Sequence, residues 1–403
     1  MRPFRALRPL SEAAPKVAAP PYDVVSREEA LALARDNPLS FLHVSRPEID
    51  LPGVDPYDPR VYAKGAENFQ RLIREGVLRR DDAPLFYVYR LAMGEHVQTG
   101  LVAVASVKAY EQGRIRRHEL TRPEKEMDRI RHIEALNAQT GPVLLTFRAV
   151  PEVSALLRQG VEGEPVYDFE LQGVRHTFWV MEDGAPLARH FEAMERLYIA
   201  DGHHRSAAAA KVAERRRAQN PHPTGEESYE YFLTVSFPHN EMQIFPYHRV
   251  VKDLNGLDEE AFLEKVKTRF RVEPSRAPVQ PERRGVFGMY LGGRWYRLEL
   301  PDIRSEDPVE RLDVYLLDRH LLAPILGIED PRRDPRIDFV GGIRGLSALE
   351  SRVDSGEMAV AFALHPTAIE DLMAVADAGK LMPPKSTWFE PKLADGLACH
   401  ILD

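Results

Sequence analysis

Two hydrophobic patterns recur along the chain. Short apolar runs predict strands, and longer stretches with apolar residues three or four apart predict helices. Ser26 is placed to cap a helix over 27–35, which Asn37-Pro38 ends. A second helix, over about 61–76, puts Tyr62, Phe69, Leu72 and Ile73 on one face, and strand-like runs follow at 84–91 and 100–107. After Pro123 the spacing of Met127, Ile130, Ile133 and Leu136 predicts a helix that Gly141-Pro142 stops, then a strand over 143–147. Further on, strands are expected at 232–237, 244–251, 286–290, 295–300 and 359–364. Helices are expected at 259–269, 309–322 and 367–378, the last closed by Gly379. This mixture predicts an α/β (α+β) chain built on mixed sheets.

One stretch organises the rest: Leu197-Tyr-Ile-Ala-Asp-Gly-His-His-Arg-Ser-Ala-Ala-Ala-Ala-Lys211. Its apolar start reads as a buried strand and its alanine-rich end as a helix, with Asp201-Gly202 as the tight turn between them. The helix therefore opens at His203, His204 and Arg205, where free backbone N–H groups and the positive dipole end favour an anion such as phosphate. Arg205 adds a guanidinium fork and the histidines add donors of adjustable charge. Asp201 would repel a phosphate, which makes sense if Mg²⁺ sits between the two. Asp-Gly is also a common cap, and paired histidines are often surface residues.

Composition narrows the classes. The chain has 403 residues, 44% apolar and 29% charged, with a net charge of −8. That length suggests two or three domains. The acidic balance argues against a general nucleic-acid binder. The single cysteine, Cys399, excludes an intrachain disulfide framework and a cysteine zinc cluster. With no signal-like start and no run of membrane-spanning length, the chain reads as cytoplasmic.

Two further blocks carry chemistry. His118 and Glu119 fall in a loop ahead of the 124–136 helix, where Glu119 on its own residues reads as a solvated charge. Near the C-terminus, Pro383-Pro384 holds Lys385, Ser386 and Thr387 in extended backbone. Lysine and hydroxyls there can hold a phosphate or carboxylate, but the glycines of a Walker-type loop are absent.

In order, Arg117-His118-Glu119, Ile199-Ala-Asp201-Gly-His-His-Arg205 and Pro384-Lys385-Ser386-Thr387 resemble the three boxes of the free L-serine kinases of the ParB/sulfiredoxin-like superfamily. The resemblance covers roughly residues 100–250 and 355–400. Arg117 departs from the proline those kinases have before His-Glu, and Trp388 from their residue after the third box. The N-terminal block Ala-Pro-Pro-Tyr-Asp-Val-Val-Ser looks instead like a large uncharacterised family often labelled SpoOJ/ParB-type.

The resemblance implies a kinase passing phosphoryl from ADP or ATP to free L-serine, giving O-phospho-L-serine in a reversible reaction. Glu119 would be the general base, with Asp201 and His203 also catalytic and Asp201 serving Mg²⁺. His118, Asp201, Gly202, His203, His204 and Arg205 would hold the nucleotide. Tyr247, His248, Lys385, Ser386 and Thr387 would hold the hydroxy amino acid. The implied domains are an N-terminal α/β extension over 1–98, the nucleotide-binding core over 99–252, and a C-terminal α/β domain over 253–403 closing the site. No nucleic acid or membrane partner is implied, and monomer and homodimer both remain open. The competing class is a ParB-like nucleotide-binding regulatory protein without kinase activity. Sulfinic-acid reduction would need a cysteine where His203 stands.

Overall fold

The apolar runs become strands of two principal sheets in a computed structural model that describes residues 1–403. The chain divides into two compact units, residues 1–242 with 391–403, and residues 243–390. The fold is mixed α/β, as expected.

The first unit is built on an eight-stranded sheet. Its order is Ile115–Arg116, Leu197–Asp201, Val143–Phe147, Tyr231–Pro238, His96–Ser106, Phe86–Met93, Val174–Met181 and Tyr167–Leu171. The central strands read as nearly continuous apolar runs because both faces are covered. Leu101, Ala103, Leu145, Phe147, Ile199 and Phe232 belong to one core there. A boundary at 98/99 would fall inside His96–Ser106, whose pairing with Phe86–Met93 ties the first hundred residues into the same sheet. The other division lies at 242/243 instead of 252/253, and residues 391–403 return to the first unit.

Two pairings place the chemistry. Leu197–Asp201 runs parallel to the edge strand Ile115–Arg116, so the two strands end on the same side of the sheet. The helix after each end, Pro123–Leu136 and His203–Gln219, then packs on the other through Ile130, Ile133, Ala208 and Val212. The alanines permit that close approach.

Several expected elements differ. The first of these helices ends at Leu136, well before Gly141-Pro142, because Asn137 takes a left-handed conformation (φ 52°) and Ala138–Gln139 pairs with His400–Ile401. Met127 is exposed, off the buried face of Ile130, Ile133 and Leu136. Pro246 splits the 244–251 run, since a proline cannot donate to a ladder. Gln243–Phe245 pairs with Trp388–Glu390, and Tyr247–Val251 enters a different sheet. The 309–322 helix is reduced to Asp313–Leu317 and a wide turn over Asp318–Leu322.

The second unit carries a six-stranded antiparallel sheet in the order Arg271–Ser275, Arg294–Glu299, Val286–Leu291, Val360–Ala363, Tyr247–Val251, Ile337–Gly341.

Candidate functional site

The turn after Leu197–Asp201 depends on Gly202. Its φ is +99°, and a Cβ there would come within 3.3 Å of the Val143 Cα. Only glycine takes that conformation without cost. The His203–Gln219 helix starts immediately after it with no side-chain cap on its first N–H groups, which leaves an anion-binding end beside Asp201.

His203 and His204 lie in the first turn of that helix and fasten the loop 117–122. The backbone N–H of His118 donates to His203 Nε2 (3.4 Å), and that of Arg122 donates to His204 Nε2 (3.0 Å). The rings of His118 and His203 meet edge to face, 4.4 Å apart. Glu119, between the two fastened positions, is half exposed and brings Oε2 to 3.9 Å from His203 Nδ1. The residue that read alone as a solvated charge thus sits beside the histidine box.

The electrostatics divide by burial. Burial pushes His118 down to about 4 and depresses His203 far below its ordinary value, His118 reinforcing the effect, so both are neutral at pH 7. Burial also lowers His204. Burial would raise Asp201, but the positive charges of Lys392 and Arg205 outweigh it and hold the carboxyl well below the usual range. Lys392 Nζ lies 3.4 Å from Asp201 Oδ2, and Gly202 N–H donates to Oδ1 (2.8 Å). A single ionised, part-exposed carboxylate is what Mg²⁺ takes when phosphates and waters supply its other ligands, so Asp201 fits that ion.

Arg205 points elsewhere. Its Nη1 donates to the Pro142 carbonyl, its Nη2 lies 3.9 Å from Asp23, and its Nε is buried without a partner. It lines a small cavity of about 30 Å³ with Tyr22, Arg129, His132 and Asp395. There Arg129 stacks on Tyr22 at 3.8 Å and also binds Asp128.

Sequence reasoning missed Lys392, Tyr22, Asp23 and Asp395. Lys392 follows Glu390-Pro391 outside any box and carried no signal. Tyr22-Asp23 did have one, the proline-stiffened block before it.

Tyr247, His248, Lys385, Ser386 and Thr387 all belong to the second unit. Lys385 Nζ lies over the Tyr247 ring at 5.2 Å. Ser386 is buried and its hydroxyl donates to Pro383 O (2.6 Å), while Thr367 donates to Ser386 O (2.8 Å). His248 is buried, lowered by burial to about 4, and accepts from Leu364 N–H (3.2 Å). Buried Arg249 organises the loop, donating to the carbonyls of Tyr247, Lys385 and Pro384 at 2.5, 2.9 and 3.1 Å. Of the residues expected to hold an acceptor here, Lys385 is the exposed one.

The family model described as "Protein of unknown function (DUF1015)" matches residues 1–315. No curated protein matches. Among solved structures, a free serine kinase in complex with AMP is similar at 14% identity and a TM-score of 0.35, over 72% of this chain and 86% of that one. SbnI with a C-terminal truncation, from Staphylococcus aureus, is similar at 14% and 0.38, over 72% and 84%. A conserved hypothetical protein from Pyrococcus furiosus is similar at 14% and 0.35, over 74% and 94%. These likenesses are distant.

Proposed function

We propose, for a chain that belongs to this family of unknown function, DUF1015, that it is a nucleotide-dependent phosphotransferase acting on the hydroxyl of a free amino acid. The donor is ADP or ATP and the acceptor, on the motif resemblance, is L-serine. One observation carries the reading: Glu119 is held 3.9 Å from His203, beside an uncapped helix start that also bears an ionised Asp201.

A phosphoryl transfer needs an anion site, charge neutralisation and a base for the attacking hydroxyl. The backbone N–H groups after Gly202 would receive phosphate oxygens. Asp201 would hold Mg²⁺, which when bound neutralises phosphate charge, and Lys392 would add a positive charge of its own. Glu119 would take the hydroxyl proton, oriented by the loop that His203 and His204 fasten.

The test is Glu119→Gln, assayed with ADP or ATP, Mg²⁺ and a panel of hydroxy amino acids, with phosphorus NMR identifying the product. Nucleotide affinity by calorimetry should persist while turnover drops roughly 10²–10⁴-fold. A second reading, nucleotide binding without transfer, is favoured by the inward turn of Arg205, which takes its guanidinium away from the helix start. Full activity in Glu119→Gln would remove Glu119 as the base while leaving the transfer itself established. Nucleotide binding with no phosphorylated product from the wild type would establish the second.

A further inference from the structure

We propose that His118, Glu119 and His203 form a binding site for a borderline divalent ion of the Zn²⁺ type, with two imidazoles and one carboxylate as ligands. The inference goes beyond the phosphotransferase reading and does not depend on it. One ligating atom from each of the three residues lies within 4.8 Å of the other two, with both histidines buried and Glu119 at the surface.

A second observation points to a ligand independently. His118 is buried, and its ring nitrogen Nδ1 is itself buried with no hydrogen-bond partner. A neutral imidazole always carries a lone pair on one ring nitrogen, and a buried unpartnered nitrogen beside a second histidine and a carboxylate is placed to give that pair to a metal ion. Leaving that nitrogen buried and unbonded otherwise costs stability. His203 faces Glu119 with Nδ1. Coordination through Nδ1 moves its proton to Nε2 and gives up the contact from His118 N–H, which at 3.4 Å is already long.

The donor set selects the ion. Imidazole suits Zn²⁺, Ni²⁺ and Cu²⁺, whereas Mg²⁺ prefers oxygen. Two histidines and a glutamate supply three of four tetrahedral positions, and half-exposed Glu119 leaves the fourth open to water or an anionic oxygen. This is a different ion from the one Asp201 fits. If Glu119 is also the base, Zn²⁺ occupies its carboxylate and stops transfer.

Chelator-treated full-length protein titrated with ZnCl₂ in a calorimeter should bind one equivalent, about 10²-fold or more tighter than Mg²⁺. Cobalt(II) in place of zinc should give the visible absorption of a tetrahedral site. Glu119→Gln changes only an exposed side chain and should weaken binding about tenfold or more; His118→Gln should do the same, with circular dichroism checking its fold. Unchanged Zn²⁺ affinity in Glu119→Gln, or no Zn²⁺ preference over Mg²⁺, overturns the site. Transfer measured separately, in chelator-treated protein with Mg²⁺, tests the phosphotransferase reading. Loss of either result leaves the other standing.

Discussion

At the residue scale, Arg205 changes role most between sequence and structure. Its neighbours in the motif suggest a phosphate fork, yet the guanidinium turns inward to Pro142 O and towards Asp23. The acids around it outweigh burial and raise it above its ordinary value, so it is a fixed charge in the first unit. Arg205→Ala is therefore expected to destabilise by about 3 kcal/mol, as breaking a buried charge interaction does, while nucleotide affinity at low temperature changes little. Urea unfolding beside calorimetric nucleotide titration checks this. A large loss of affinity with stability intact would return Arg205 to the nucleotide. Residue types and spacing exposed the box, but they could not say which way a side chain turns. That depends on Asp23 and Asp395, which lie far from it in sequence.

At the element scale, strands and helices were legible wherever one rule dominated. Leu197–Asp201, Gly202 and the following helix follow from an apolar run, a left-handed turn and a run of alanines. Ser26 caps its helix with a full capping box, closed by Glu29. Long-range pairing was not legible. The two-residue strand Ile115–Arg116 exists only because Leu197–Asp201 lies beside it, yet it delivers Glu119. The loop 383–387 is a similar case: its shape comes from Arg249, more than a hundred residues earlier, and from Lys385 held at φ +55°. A lysine in that conformation is strained by about 1–2 kcal/mol. Lys385→Gly should relieve it and stabilise the chain by about 1 kcal/mol. Arg249→Met should destabilise by about 3 kcal/mol, leaving three carbonyls without their donor. Chemical denaturation reads both signs.

At the scale of the whole molecule, buried histidines give the two units different responses to acid. In the first unit His118, His132, His176 and His400 are lowered by burial to about 4, and burial lowers His203 and His204 as well. Unfolding returns each to its ordinary value of 6.5, so between pH 6.5 and 4 the unfolded chain binds more protons. Stability from these groups is full above about 6.5 and is lost as pH falls towards 4, by ~1.4 kcal/mol per pH unit for each net proton. Asp395, raised by burial to about 7, and His43, raised by its hydrogen bond to Asp50, act in the opposite sense, but they are two groups against six. In the second unit His248, at about 4, and His320, also lowered by burial, are opposed by Asp313 and Asp318, raised by burial to about 7 and about 6. There the two signs nearly cancel. Hydrogen exchange at pH 7.5 and pH 5 should therefore show protection falling in Leu101–Ala105 and Leu197–Asp201 while Val286–Leu291 and Val360–Ala363 hold theirs. Replacing one of these histidines by an apolar residue, as in His132→Leu, should flatten the acid dependence of the first unit by one proton's slope. Equal loss in both units at pH 5 would mean that the buried histidines are not what makes the chain acid-sensitive.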